Sequence, residues 1–332
     1  MQSLSSFHTF GLASSALNIS TIKSVDELRK TLIQLRDTRY YVLGEGSNTI
    51  FLSDYIGTIL RLGINGIDVQ EYENSYQISV GAGINWHYLV LWCLQKNIFG
   101  FENLAMIPGS VGAAPIQNIG AYGVEIERFI KCVEYFDLYD EQLKTVDKSK
   151  CEFDYRNSVF KSTLAGRAII VSVVFELPKK WLAVAHYGEL KSLINPSPQD
   201  VFNKVVEVRN AKLPIPSKIG NAGSFFKNPV IALDHYTQLQ KSWPSIPSYP
   251  LDTDKVKVPA AWLIDKLGFK GKKIGGIGCH PNQALVLTND GSGTGEQLLQ
   301  LARAIKSAVL QEFSIVLENE VRLIGKHGPV TL

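Results

Sequence analysis

Three short stretches of this chain have the composition of backbone anion traps. Gly44-Glu45-Gly46-Ser47-Asn48, Gly81-Ala82-Gly83 and Pro108-Gly109-Ser110-Val111-Gly112-Ala113-Ala114-Pro115 all fall before residue 125. Glycine lets a backbone turn through positive φ and approach a ligand closely. Successive N–H groups can then converge on one anion, and Ser47, Asn48 and Ser110 add side-chain donors. A diphosphate is the natural ligand of such a set. No G-x-G-x-x-G opens a helix here, so the dinucleotide fingerprint of the doubly wound fold is absent, and there is no Walker lysine. One such loop alone reads as an ordinary tight turn; three together weaken that reading. A fourth stretch, Gln117-Asn118-Ile119-Gly120-Ala121-Tyr122-Gly123, mixes amides, glycines and an aromatic without any period. Its backbone could hydrogen-bond the edge of a polar heterocycle.

The elements that must position these loops alternate between helix and strand in the first third. Ser24 and Glu27 have the spacing of a capping box, and Leu28, Leu32, Ile33 and Leu35 follow at helical spacing. The strand Tyr40-Tyr41-Val42-Leu43 runs into the first glycine loop, and Thr49-Ile50-Phe51-Leu52 leaves it. Tyr76 to Val80 alternates as a strand and enters Gly81-Ala82-Gly83; Trp86 to Gln95 is apolar at helical spacing. Further strands are expected over 133–136 and 168–175. Two prolines in Lys212-Leu213-Pro214-Ile215-Pro216 deny a helix and mark a linker. Beyond it come a Pro- and Ser-rich loop over 243–250, helices over 260–267 and 295–313, and a final strand over 316–324.

Composition removes several classes of function. A chain of 332 residues predicts two or three domains. Against 34 Lys+Arg stand 31 Asp+Glu, too mild a balance to argue for nucleic acid or an anionic membrane. Cys93, Cys132, Cys151 and Cys279 form no C-x-x-C and read as free thiols in a reducing compartment. The six histidines are scattered, so no metal site is expected. No signal peptide and no run of about 20 apolar residues is visible, which makes a cytoplasmic enzyme the default.

The first, third and fourth stretches resemble the FAD-binding signatures of the UDP-N-acetylenolpyruvoylglucosamine reductase (UDP-N-acetylmuramate dehydrogenase) family. Further matches to the family are Phe153-Asp154-Tyr155-Arg156-Asn157-Ser158-Val159-Phe160, Gly220-Asn221-Ala222-Gly223-Ser224-Phe225-Phe226-Lys227-Asn228-Pro229 and Leu317-Glu318-Asn319-Glu320-Val321-Arg322. The likeness runs from about Phe7 to Gly325. It implies an α+β fold: a two-part FAD-binding domain of the vanillyl-alcohol-oxidase/PCMH-like type plus a separate α+β substrate domain. The parts are expected at 1–65 and 66–208 for FAD and at 209–332 for the substrate, with the C-terminal tail free to return to the first part. It also implies non-covalent FAD, NADPH as co-substrate, a UDP-sugar as substrate, and a monomer without nucleic-acid or membrane partners. The FAD contacts carried over are Gly44, Glu45, Gly46, Ser47, Asn48, Gly109, Ser110, Gly112, Asn118, Gly120, Ala121 and Tyr122.

The reaction so implied adds hydride from flavin N5 to the methylene carbon of an enol ether and a proton to the other carbon. Negative charge spread onto the substrate carboxylate then needs a cation. Arg156 is the best candidate, since its fork binds a carboxylate in two-pronged geometry, with Tyr155 beside it to orient it. From the residues alone, a surface β pair of Tyr155 and Arg156 is the better reading, and the resemblance is what overrides it. The family's acid maps onto Ser224, flanked by Ala222 and Gly223; a serine hydroxyl is a weak acid and must be polarised. Glu320 lies in an apolar run, where a carboxylate costs free energy unless paired or functional. Glu318 has the same strand parity, and the resemblance selects Glu320, which directly precedes the Val-Arg step. Asn319 departs from the proline common in relatives. Substrate contacts carried over are Tyr155, Tyr187, Lys212, Lys227, Asn228, Tyr249 and Gln283. Two rivals remain: an oxidase of the wider FAD group, for which His87 could be a covalent flavin anchor, and a binding module without chemistry. A base rather than an acid would serve the first, and the set Arg156, Ser224 and Glu320 argues against both.

Overall fold

The computed structural model describes residues 1–251 and 253–332. Its chain falls into two compact units, one of residues 18–45 and 57–211, the other of residues 1–17, 46–56 and 212–332. The segment expected as a first part over 1–65 is therefore shared between the units, and the change of unit at 211/212 coincides with the Pro-containing linker.

The first unit is built on a five-stranded antiparallel sheet, in the order Gln142–Asp147, Ile130–Asp137, Ala168–Pro178, Ser75–Gly81, Ile67–Glu71. The register between the second and third of these shifts opposite Glu134 and Tyr135, leaving Val171 as a bulge. A bulge resets which face each side chain takes. Accordingly Ile170, Val173, Phe175 and Leu177 enter one core and Ile169 and Val171 the other. The larger core is closed by α2 (Trp86–Gln95), whose Trp86 meets Phe101 edge-on at 5.1 Å and donates from Nε1 to the Leu104 carbonyl at 2.9 Å. The smaller core takes Leu28 from α1 (Val25–Gln34) with Ile22, Leu60 and Phe136. Each large apolar side chain so buried contributes roughly 1.5–3 kcal/mol. Ser24 caps α1 by accepting from the Glu27 N–H, whereas Glu27 reaches back one residue further, to the Lys23 N–H. The strand Tyr40–Leu43 pairs in parallel with residues 58–61. Helix α3 (Pro198–Lys212) buries Val201, Phe202 and Val205 in the larger core.

The second unit has its own core, organised by α6 (Gly295–Phe313) with α4 (Leu233–Ser242) and α5 (Ala260–Lys266). Thr294 and Gln297 close a full capping box on α6. Against these helices lie a sheet in the order Gly220–Ser224, Val286–Asn289, Ile277–Cys279, Lys273–Ile274 and a smaller one of Val230–Ala232, Lys255–Lys257 and Tyr249–Pro250. The C-terminal strand Arg322–Gly325 pairs in parallel with Thr49–Phe51 and antiparallel with Gly328–Val330. The strand expected over 316–324 is thus only four residues long. The reason is a change of partner: Asn319 bridges Phe226 antiparallel, and from Arg322 onward the chain pairs with Thr49 in parallel. No single ladder can serve both.

Candidate functional site

In the first unit the glycine loops converge. A Cβ at Gly44 would lie 2.7 Å from the Ser110 hydroxyl, and one at Gly112 would lie 2.6 Å from the Ala82 methyl. Neither position tolerates a side chain, so backbone lines these turns. The loops are also bonded to one another. Gly112 N–H donates to the Ala82 carbonyl at 3.0 Å, Val111 N–H to Ile84 at 2.8 Å, Trp86 N–H to Gly109 at 2.8 Å, and Ala82 N–H to the bulged Val171 at 2.9 Å. Asn85 caps α2 by accepting from the Tyr88 N–H at 2.8 Å, and its amide donates to the Glu45 carboxylate at 2.8 Å. Burial pushes the Glu45 carboxyl up; the Asn85 amide, the Arg61 charge and the Gly109 N–H act the other way. Such backbone-lined turns beside a helix N-terminus suit the diphosphate of a dinucleotide.

The fourth stretch adjoins this cluster in sequence and is tightly held. Gly120–Ala121 pairs with Val124–Glu125 around a turn in which Tyr122 and Gly123 both have positive φ (49° and 81°), as a two-residue hairpin of this hand requires. Asn118 is fully buried; its amide donates to Glu125 at 3.0 Å and to the Asp154 carbonyl at 3.3 Å, and its oxygen accepts from the Glu127 N–H at 3.1 Å. Asn103 ties the Tyr122 carbonyl (3.0 Å) to that of Val184 (2.8 Å). Arg156 sits on a tight turn at φ 54°, closed by the Asp154–Asn157 bridge. Its Nη2 donates to the Gly120 carbonyl at 3.1 Å, its Nη1 lies 3.4 Å from that of Asn118, and its guanidinium is 5.5 Å from the Tyr155 ring centre. The pair is therefore not a surface strand pair: Arg156 rests on the backbone of the 117–123 loop. Tyr187 is exposed, next to where a Cβ at Gly123 would come, 3.4 Å from the Tyr187 Cβ.

Arg209, on the core-facing side of α3, was not anticipated. Burial pulls its pKa down; Tyr122 acts to raise it and Arg156 to lower it. It makes no ion pair among the described residues. A lone arginine in an amphipathic helix carries no sequence signal that separates it from a surface one. The imidazole of His87 is committed elsewhere: its Nδ1 accepts from the Met106 N–H at 3.1 Å and its ring stacks on Phe202 at 6.0 Å. Burial and then the Arg209 charge lower its pKa.

In the second unit Ser224 ends the strand Gly220–Ser224, after Gly223 at φ 71°. The residue is half-buried, and its hydroxyl hydrogen-bonds to no group among the described residues. Phe225 and Phe226, both buried, anchor the next turn, and the Phe225 carbonyl accepts from the Glu320 N–H at 2.8 Å. Ser224 and Glu320 are thereby held on facing stretches of chain. The Asn48 amide donates to the Glu320 carbonyl at 3.2 Å, the Asn48 carbonyl accepts from the Arg322 N–H at 2.9 Å, and Ser47 accepts from the Thr9 hydroxyl at 3.4 Å. Gly46 is wedged against Phe7, where a Cβ would come 2.1 Å from the carbonyl oxygen. Glu318 is separate from Glu320: exposed, with its carboxylate on the Lys227 ammonium at 2.8 Å. The Asn228 oxygen accepts from the Ala260 N–H at 3.0 Å, and Gln283 from Leu285 at 3.4 Å. Lys212 and Tyr249 are exposed. Among the described residues no cluster of His, Cys, Asp and Glu could hold a metal, and no helix is long and apolar enough to cross a membrane.

Comparison with known proteins gives these geometries a context. Residues 215–324 match the family described as UDP-N-acetylenolpyruvoylglucosamine reductase, C-terminal domain, and residues 17–146 the family described as FAD binding domain. The UDP-N-acetylenolpyruvoylglucosamine reductase of Pseudoalteromonas atlantica is 57% identical over all of this chain and 96% of its own. That of Pseudoalteromonas translucida is 45% identical over 98% and 96%. The crystal structure of the UDP-N-acetylenolpyruvylglucosamine reductase of Thermus caldophilus covers 96% of both chains at a TM-score of 0.66 and 23% identity, a likeness of fold.

Proposed function

Because the chain belongs to the UDP-N-acetylenolpyruvoylglucosamine reductase family, an oxidoreductase family, and carries its FAD-binding domain, we propose that it reduces the enolpyruvyl ether of that UDP-sugar with NADPH to give UDP-N-acetylmuramate. The chemistry FAD supplies when bound is relay of hydride from NADPH to the methylene carbon. Gly44, Gly109, Ser110, Gly112, Asn118, Gly120, Ala121 and Tyr122 would hold it by backbone, with Gly46, Ser47 and Asn48. NADPH leaves before the sugar nucleotide enters, which accounts for the lack of a separate nicotinamide motif.

The chain's own residues carry the remaining steps in this reading. Arg156, fixed by the carbonyls of Asn118 and Gly120, binds the substrate carboxylate and opposes the charge that develops there. Ser224 gives the proton to the second carbon, and protonated Glu320 hydrogen-bonds the developing enolate. The observation that carries the reading is Ser224: half-buried, its hydroxyl engaged by no described group, and held beside Glu320 through Phe225. The Glu318–Lys227 ion pair favours Glu320 over Glu318 for the role. Lys212, Lys227, Asn228, Gln283, Tyr155, Tyr187 and Tyr249 serve the sugar nucleotide, with Arg209 as a further cation. The commitment of His87 to Met106 favours non-covalent flavin. A cytoplasmic monomer, with 1–65 and 66–208 serving FAD and 209–332 the substrate, completes the reading. The test is direct: purified protein given NADPH and the enolpyruvyl UDP-sugar should consume NADPH in step with the sugar, and protein loaded with FAD that consumes none would refute it.

A further inference from the structure

An acidic residue in an anion-binding turn needs a reason. An ionised carboxylate only accepts hydrogen bonds, so Glu45 has nothing to offer a diphosphate and repels it. What the carboxylate does touch is Asn85, whose amide donates to it at 2.8 Å, while the Gly109 N–H is a second donor. The amide has no freedom to turn over, because its oxygen is already the cap of α2, accepting from Tyr88. Asn85 in turn bridges Ser110, and the adjacent Trp86 N–H donates to the Gly109 carbonyl. Gly44, next to Glu45, abuts the Ser110 hydroxyl so closely that no Cβ fits. Arg61, opposite Leu43 on the neighbouring strand, offsets the carboxylate charge.

We propose that Glu45 is a positioning residue: its carboxylate clasps the Gly44-Glu45 turn to the Gly109-Ser110 turn through Asn85, setting their N–H groups for the anionic cofactor without touching it. This rests on the flavin reading and revises one detail of what the resemblance implies, which counts Glu45 among the contacts. The test exchanges donor and acceptor. Asn85→Asp keeps a cap for α2 but sets two carboxylates against each other; joined with Glu45→Gln, the new amide donates to the new carboxylate and still offers an oxygen to the Gly109 N–H.

FAD titration of the full-length apoprotein should show Asn85→Asp binding about tenfold or more weakly, the cost of one lost charged hydrogen bond. The double variant should recover to within about threefold of wild type. At saturating FAD the KM for the sugar nucleotide should stay as in wild type. The melting midpoints of the apoproteins should follow the same order. Were Glu45 a direct contact, the double variant would bind no better than the weaker single one, and the clasp is then wrong; it is equally wrong if all variants bind alike. If the wild type bound no FAD, the flavin reading itself would fall. The apoprotein melting order would still decide the clasp: it stands if the double variant recovers and falls if it does not.

Discussion

Replacing Ser224 by alanine separates folding from chemistry, because its hydroxyl has no partner to lose among the described residues. A surface or half-buried substitution that breaks no hydrogen bond shifts stability by about 0.5 kcal/mol or less. The melting midpoint of Ser224→Ala should therefore match wild type within about 2 °C for a chain of this size, and flavin should stay bound. The same hydroxyl, as the proton donor, supplies roughly 10²–10⁴-fold to its step. Stopped-flow absorbance divides the cycle in two. Bleaching of the flavin by NADPH needs no proton at the substrate carbon and should run at nearly the normal rate. Return of colour on adding the enolpyruvyl UDP-sugar should slow by two orders of magnitude or more. Slowing of both phases alike would make Ser224 a flavin contact or a structural residue. If neither phase changed, the acid would have to be sought at Glu320.

Other outcomes follow from the same geometry. Arg156→Ala should leave flavin bound and the bleaching step intact while kcat/KM for the sugar nucleotide falls by at least tenfold, as the loss of a charged hydrogen bond costs about 1.5–3 kcal/mol; steady-state kinetics check this. Glu318→Gln should change turnover by less than about threefold, since an exposed ion pair is worth about 0–1 kcal/mol, whereas Glu320→Gln should slow the return of colour far more; equal effects would undo the choice between them. His8 is buried, and burial lowers its pKa from 6.5 to about 4 while the bond to the Leu12 carbonyl acts to raise it. A base with a lowered folded-state pKa keeps its stability above pH 6.5 and loses it as pH falls through 4. The wild type should lose about 3 kcal/mol more across that window than His8→Gln, measured by urea unfolding at pH 7, 5.5 and 4.

What could be read from the sequence was local, and what could not depended on distant partners. The Ser24 cap and the helices over 86–95 and 295–313 stand where their spacing puts them, because caps and apolar periods are short-range. The meeting of the glycine loops was legible only as a hope that three traps share one ligand; the contacts of Gly44 with Ser110 and of Gly112 with Ala82 make it physical. The strand over 316–324 misled because an apolar run carries no record of a change of partner at Asn319. Arg209 was invisible for a different reason: its meaning lies in Tyr122 and Arg156, far away in the chain.

The way residues 1–17 and 46–56 join residues 212–332 bears on how the molecule comes into being. Phe10, Leu12 and Ile50 are at most 2% exposed, yet they share their core with Val321 and Leu323. A ribosome delivers those partners long after Ile50, at roughly 5–20 residues per second. Residues 18–45 and 57–211 hold their own cores before then, while the early apolar side chains wait for Val321 and Leu323 to emerge. Contacts of such long sequence separation fold slowly. The N-terminal stretch is thus where a chaperone, or premature aggregation, would find its opening.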